Sequence, residues 1–279
     1  MTRSGPIKGG LWLLGLIIGA VVLGPMLWSL PADQMDLTAR NAVPGWTHPL
    51  GTDELGRDLL AQLLAGGRVS LAVGAAAMAV SLVLGATIGV LAGTLRWLDG
   101  PLMRLTDLFL ALPVLPLLLI TVALFRAPLS ALLGPEVGIF TLIVLAIGAT
   151  SWMGTARILR GEVRTLMARD FIRAARSTGT RSGAMITRHI LPNIMGALTV
   201  SATLGVATAI LTESALSFLG LGFPPDMPTW GRLLHDGTAH LGTHPGRALW
   251  PGALITLTAL AVTWLGDGLR DFNDPRQRV

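Results

Sequence analysis

A carboxylate inside an apolar run is the first residue of this chain that could do chemistry. Glu213 lies in the stretch TAILTESALSF, about seven residues from the end of a hydrophobic segment, or roughly 10 Å along a helix axis. Gly205 and Ala209 precede it at steps of four, so the three share a face within about 80 degrees. That spacing turns Glu213 toward protein rather than lipid. Two readings stay open: a relay in an ion-coupled transporter, or a hydrogen bond between helices. The five histidines, His48, His189, His235, His240 and His244, all fall in expected loops, where solvated side chains are the simplest account. His240 and His244 have helical i, i+4 spacing, but Gly242 lies between them and Pro245 follows, so neither a shared helical face nor a metal site is expected. There is no cysteine, hence no thiolate site and no disulfide. No G-x-x-x-x-G-K-[ST] phosphate loop is present and the only lysine is Lys8, which excludes a self-contained P-loop ATPase. An intramembrane protease would need a Ser and a His, or two Asp, within the spans, and neither arrangement is there. No catalytic residue, metal or bound cofactor is expected in this chain.

The elements that must position such residues are set by composition. The 279 residues are 52% hydrophobic and 13% charged, with a mean hydropathy of +0.64. This is the balance of an integral membrane protein. Charged residues gather between apolar blocks of about 20 residues, the length a helix needs to cross the hydrocarbon core. A β-barrel would show short alternating segments instead. The expected fold is all-α, one transmembrane domain over 1–279, with spans at 11–30, 69–93, 105–125, 138–153, 193–221 and 250–269. Arg3 and Lys8 precede the first span, which is too long for a signal core and lacks a cleavage pattern, so it is read as a retained helix. The polar segment from Pro31 to Arg68 is too short for a separate enzyme domain. In the second span Ser81, Gly85, Gly89 and Gly93 repeat at steps of four, a series that lets helix backbones approach closely. In the third, Pro113 and Pro116 each remove an amide donor, giving either a plain kink or a break that lines a transport pathway.

Orientation follows from the basic residues, because Lys and Arg in short loops face the cytoplasm. Arg40, Arg57, Arg68, Arg126, Arg232 and Arg247 fall on one side of the expected spans. The other fifteen of the twenty-one fall on the side of both termini, which places the N- and C-termini in the cytoplasm. A net charge of +5 is therefore topological, and nucleic acid is not an expected partner. Eight of those arginines lie in the loop 154–192: Arg157, Arg160, Arg164, Arg169, Arg173, Arg176, Arg181 and Arg188. Within it, Asp170 can cap a short helix over Phe171 to Thr178, and Gly179 can stop it in a left-handed conformation. Pro192 suits the first turn of the helix that follows. The loop is either a topological anchor or a docking element for a cytoplasmic partner.

The run RAARSTG followed by RHILPN resembles the EAA loop of ATP-binding-cassette importer permeases. The match lies at Arg173, Ala174, Ala175 and Gly179, then Leu191 and Pro192; Arg173 stands where the pattern has Glu, and His189 where an aliphatic residue is usual. HPLGTDELGRDLLAQLLAGGRVSL from His48, TESALSFLGLGFPP from Thr212 and LGDGLRDFNDPR from Leu265 narrow the resemblance to the second permease type of the dipeptide, oligopeptide and nickel branch. The resemblance implies a type I importer fold in a bacterial cytoplasmic (inner) membrane. It also implies a paralogous permease as partner, two cytoplasmic ATPase subunits that hold ATP and Mg, and an extracytoplasmic solute-binding protein. In that family the short loop helix sits in a groove of the ATPase subunit and passes its movement to the spans. This makes Asp170, Phe171, Arg173, Ala174, Ala175, Gly179, Leu191 and Pro192 the coupling residues, with Ala174 and Ala175 letting the helix seat closely. Pro113, Pro116 and Glu213 are the pathway or gate candidates. Small peptides lead as cargo, with nickel second, and a stand-alone secondary transporter using Glu213 is the alternative of a different class.

Overall fold

Six helices are long and apolar enough to cross a membrane in the computed structural model, which describes residues 5–273. Arg3, Arg276 and Arg278, counted above with the termini, lie outside the described residues. The chain runs α1 (Gly5–Leu27), α2 (Leu59–Thr94), α3 (Arg96–Ala111), α4 (Val114–Leu133), α5 (Pro135–Met167), α6 (Asp170–Ser177), α7 (Ser182–Met185), α8 (Leu191–Phe218), α9 (Trp230–Thr238) and α10 (Gly246–Asn273). The long helices alternate in direction. One end of the bundle therefore carries segment 28–58, α9 and the turn at 219–229. The other end carries α3, α6 and α7.

Several boundaries depart from the expected spans, each for a visible reason. α2 begins ten residues early because Asp58 caps it, accepting a hydrogen bond from the Ala61 amide at 2.8 Å. At 36 residues it is about 54 Å long, so its ends stand clear of a hydrocarbon core of roughly 30 Å. The expected span at 105–125 does not form. Leu112 is extended (φ −77°, ψ 138°), as a residue before proline should be, and Pro113 opens α4. Pro116 falls in the first turn of α4, where a missing N–H breaks no intrahelical bond. Neither proline kinks a span; together they separate the surface helix α3 from the crossing helix α4. Arg126, expected in a loop, lies within α4, and Arg68, Arg232 and Arg247 also lie on helices, in α2, α9 and α10.

The largest correction concerns the loop 154–192. α5 continues without interruption to Met167, so the first third of that loop is helix. Arg157 pairs with Asp107, and Arg160 and Arg164 both reach Asp99, the latter at 3.2 Å. These arginines hold α3 against α5.

α2 and α5 form the centre of the bundle. A Cβ at Gly89 would lie 2.6 Å from the Ala156 carbonyl oxygen, one at Gly85 2.8 Å from that of Trp152, and one at Gly93 2.6 Å from the Val163 side chain. Such distances mean backbone-close packing, the geometry that small residues permit in lipid. Val73, Ala77, Ile139, Ile143 and Ile147 continue the contact, with Leu118 from α4 and Leu216 from α8. The pair α1 and α10 docks the same way, with Gly10 near the Ala261 carbonyl. Gly89→Ala is expected to destabilise the bundle by about 1–3 kcal/mol through overpacking, read as a lower melting temperature in detergent. Gly154→Ala, at a position on α5 with nothing within 4 Å, should leave the melting temperature unchanged or raise it. Equal effects in the two variants would contradict the close contact.

Candidate functional site

α6 is a short helix held by one side chain. Ala168 and Arg169 turn the chain away from α5; Arg169 is extended (φ −75°, ψ 148°) and occupies the cap position expected for Asp170. Asp170 is instead the first helical residue, and its exposed carboxylate meets Arg173 at 2.8 Å. It serves the helix through the favourable placement of negative charge at an N-terminus rather than through a cap hydrogen bond. At the other end Gly179 has φ +79°. Its amide donates to Arg176 O at 2.9 Å and that of Thr180 to Ala175 O at 3.1 Å, the paired bonds of a Schellman stop.

Between those ends only Ile172 is fully buried. It enters a pocket made by Val90 of α2, Leu159 and Val163 of α5, Ile194 of α8, and Met185 and Ile190 from the chain between. Ala175, one turn along, packs against the same cluster. Ala174 faces outward, with Phe171, Arg173 and Arg176 also exposed. The two alanines thus do different work: one seats the helix on this chain, the other lies on its free face. Ile172 was missed because an eight-residue helix has too few turns to show a periodic face. The i, i+3 pair Ile172 and Ala175 was the available signal.

Return from α6 to the span uses a widened turn. Residues 186–190 form a π turn in which the Leu191 amide donates to Ile186 O. Leu191 follows it and then Pro192, whose ring would crowd a regular helical carbonyl. Leu191 and Pro192 are exposed in the first turn of α8. His189 lies in the π turn rather than in a loop, and its carbonyl accepts from Asn193 Nδ2 at 2.6 Å.

Glu213 is fully buried near the other end of α8. Ser70 Oγ of α2 donates to it at 3.1 Å and Ser217 Oγ at 2.8 Å, and Ser70 Oγ also accepts from the Trp230 amide of α9 at 3.2 Å. This is an interhelix hydrogen-bond network with no cation in it among the described residues. Pro113 and Pro116 are exposed at the start of α4, at the α6 end, so the structure does not bring them together with Glu213. Arg126 donates from Nη2 to Gly222 O at 2.9 Å, tying α4 to the turn after α8.

At that same end, HPLGTDELGRD folds as a hydrogen-bonded cap. Asp58 accepts from Trp28 Nε1 at 3.1 Å and lies 2.9 Å from His48 Nδ1. Asp53 accepts from the Leu55 and Arg57 amides at 2.8 and 2.9 Å, from Arg57 Nε at 2.6 Å and from Gln62 Nε2 at 3.1 Å. Arg247, from the start of α10, donates to Asn41 Oδ1 at 2.6 Å and Thr52 O at 2.7 Å. Gly56, at φ +76°, has no room for a side chain: a Cβ would sit 1.7 Å from Asp36 O. The histidines here are not merely solvated. His235 lies on α9 with Nδ1 2.6 Å from Phe218 O, and His240 Nε2 is 3.3 Å from Glu54 Oε2. Among the described residues no three His, Cys, Asp or Glu side chains converge as for a metal.

Comparisons with known proteins agree with this architecture. Residues 68–279 match the family described as binding-protein-dependent transport system inner membrane component. A Brucella suis protein provisionally named a peptide permease is 39% identical over 273 residues, covering 97% of this chain and 87% of that protein. The dipeptide transport system permease protein DppC of Alkalihalophilus pseudofirmus is 37% identical over 277 residues, covering 97% and 88%.

Ile172→Ala is expected to weaken the seat of α6 by about 2 kcal/mol or more, since it deletes a fully buried side chain. Amide-exchange protection across 170–177 should then fall by roughly 30-fold, with the spans unaffected; unchanged protection would mean that another contact holds the helix. The hydrogen bond from the Arg160 guanidinium holds the Asp99 carboxyl below the usual carboxylate range. A lowered folded value stabilises fully above the unfolded value of about 4 and is lost as pH falls through the folded one. The melting-temperature gap between the native chain and Asp99→Asn should be constant from neutral pH to about 5 and close below about 4. A gap that persists at low pH would contradict the assignment.

Proposed function

The chain belongs to the family of binding-protein-dependent transport system inner membrane components, and from that premise we propose that it is one of two permeases in an ATP-driven importer of small peptides. The relatives named as peptide and dipeptide permeases support this cargo over nickel. Substrate crosses at the interface with a second, similar permease by alternating access. ATP and Mg are bound by two separate cytoplasmic ATPase subunits, and this chain hydrolyses nothing itself. A solute-binding protein delivers cargo on the opposite side. Both termini and α6 are cytoplasmic; the concentration of arginine at the α6 end supports that orientation.

The observation that carries the reading is the construction of α6. Its outer face, with Phe171, Ala174 and Arg173, is free, and its inner face is fixed by Ile172 to three spans at once. A load applied to the free face by an ATPase subunit reaches α2, α5 and α8 together. Gly179 lets the chain leave the groove without lengthening the helix. Glu213 ties spans in this reading, so Glu213→Gln should retain ATP-dependent uptake. A stand-alone secondary transporter would lose ion dependence in the same variant and would not co-purify with ATPase subunits.

In the reconstituted complex, Gly179→Val places a β-branched residue at positive φ, a strain on the order of 1–3 kcal/mol. The turn should open, and peptide uptake and stimulated ATP hydrolysis should fall by roughly tenfold or more, while the chain still inserts and assembles. Wild-type uptake and stimulation in that variant would sink the coupling role.

A further inference from the structure

Segment 28–58 is folded around a hydrogen-bonded interior in which Thr52 and Asp58 are buried and Asp53 is half-buried. Met35, Leu37, Val43 and Trp46 are exposed, Trp46 completely. Large apolar side chains left outward on a tightly bonded segment mark a surface that another molecule covers. Beside them is a cavity of about 410 Å³ lined by Trp28, Trp46, His48, Asp36 and Asp58 among others, a volume within the roughly 300–1,000 Å³ of small-ligand sites.

The cavity has one chemistry. Two indoles and the exposed Asp36 carboxylate face it, and hydrogen bonds from the Thr38 hydroxyl and amide hold that carboxyl below its usual range; the Asp58 carboxylate beneath is buried and already bonded to Trp28, His48 and the Ala61 amide. The cations of the neighbourhood are engaged elsewhere. Arg57 is bound to Asp53, Arg40 to the Glu54 carbonyl, Arg68 to the carbonyls of Val21 and Val22, and Arg247 to Asn41 and Thr52. His48 directs Nδ1 to Asp58. An anionic, aromatic socket fits a cationic side chain, which gains both a carboxylate partner and a cation–π contact.

We infer that this socket receives a lysine or arginine side chain of the solute-binding protein, with Trp46, Met35, Leu37 and Val43 forming the apolar contact around it. The inference rests on the importer reading, which supplies the partner and its side of the membrane. Three observations select that occupant. The segment joins α1 to α2 at one end of the bundle, whereas a contact between two permeases would run along the spans. Exposed carboxylates repel an anionic lipid surface. The apolar rim extends past the cavity, more surface than a small peptide alone would cover. Gly51 and Gly56, both at positive φ, and the Arg247 tie fix the loop in advance, which lowers the ordering cost of association.

The test uses the assembled importer in nanodiscs with its purified solute-binding protein. Because the chain has no cysteine, Trp46→Cys gives it a unique thiol for a benzophenone label. Photolysis should yield an adduct with the binding protein, and the same label at Trp12→Cys, on exposed α1 surface, should not. Trp46→Ala and Asp36→Asn should each raise the binding-protein concentration for half-maximal ATPase stimulation by roughly tenfold, leaving unstimulated and maximal rates unchanged. Asp36→Asn should also flatten its salt dependence. An adduct only with the second permease or with lipid, or unchanged half-saturation in both variants, overturns the inference. Should the native complex show no stimulation by any binding protein, the importer reading itself fails; stimulation that the variants leave untouched removes only the docking site.

Discussion

The bundle depends on the approach of two helix backbones, α2 and α5, along Gly85, Gly89 and Gly93. In lipid there is no hydrophobic force between helices, because the acyl chains are as apolar as leucine. Association then rests on dispersion contacts and on the few polar bonds that cross the interface. A stripe without side chains maximises the first. Everything attached to these helices inherits their fixed relation: α3 follows α2 and is ion-paired to α5, α6 follows α5, and the cap at 28–58 is bonded to the start of α2.

The two ends of that unit are finished by different physics. At the α6 end the bonds are ionic and lie near water, with Asp99 shared by Arg160 and Arg164. They orient α3 against α5 but are individually weak and sensitive to salt. At the 28–58 end the bonds are short, partly buried and multiply connected, since Asp58 caps α2 while also meeting Trp28 and His48. Removing one partner there strands others, which makes such a network rigid. A pliable attachment at one end and a preformed surface at the other suit the proposed importer, in which the first end moves and the second is recognised.

Which of these features could be read from sequence depends on how local their causes are. The six crossing helices were legible because hydropathy is a property of about 20 neighbouring residues, and the stop at Gly179 because a left-handed residue is a property of one. The break at Pro113 was legible as a disturbance but not as a boundary. An apolar run continues through it, and α3 gives itself away only by Asp99 and Asp107, whose partners lie some fifty to sixty residues on. Arg157, Arg160 and Arg164 recur at helical spacing, yet arginine density suggested a loop because their acidic partners are in another element. The cap was not legible at all. Arg247 meets Asn41 across 206 residues of chain, and no window of sequence holds both. Ile172 falls between these cases, present in the pattern but too short a pattern to weigh.

The placement of the polar ties bears on how movement at α6 can travel. α2 and α8 meet at the α6 end through Val90, Ile194 and the buried Ile172. They meet again at the far end through Ser70 and Glu213. α5 is locked to α2 along most of the distance between. A set of helices clamped at both ends and along the middle does not bend locally under load, because bending would break backbone-close contacts that have no partial state. It tilts as one body. α1 and α10 pack on each other, but α10 also packs along α8 and both share a core with α2 and α9, so they move with that body; α4 leaves most of its surface uncovered and is the element against which such a tilt would be taken up. Glu213 then matters for its position more than for its charge. It is the far clamp of a lever whose near clamp is a single isoleucine.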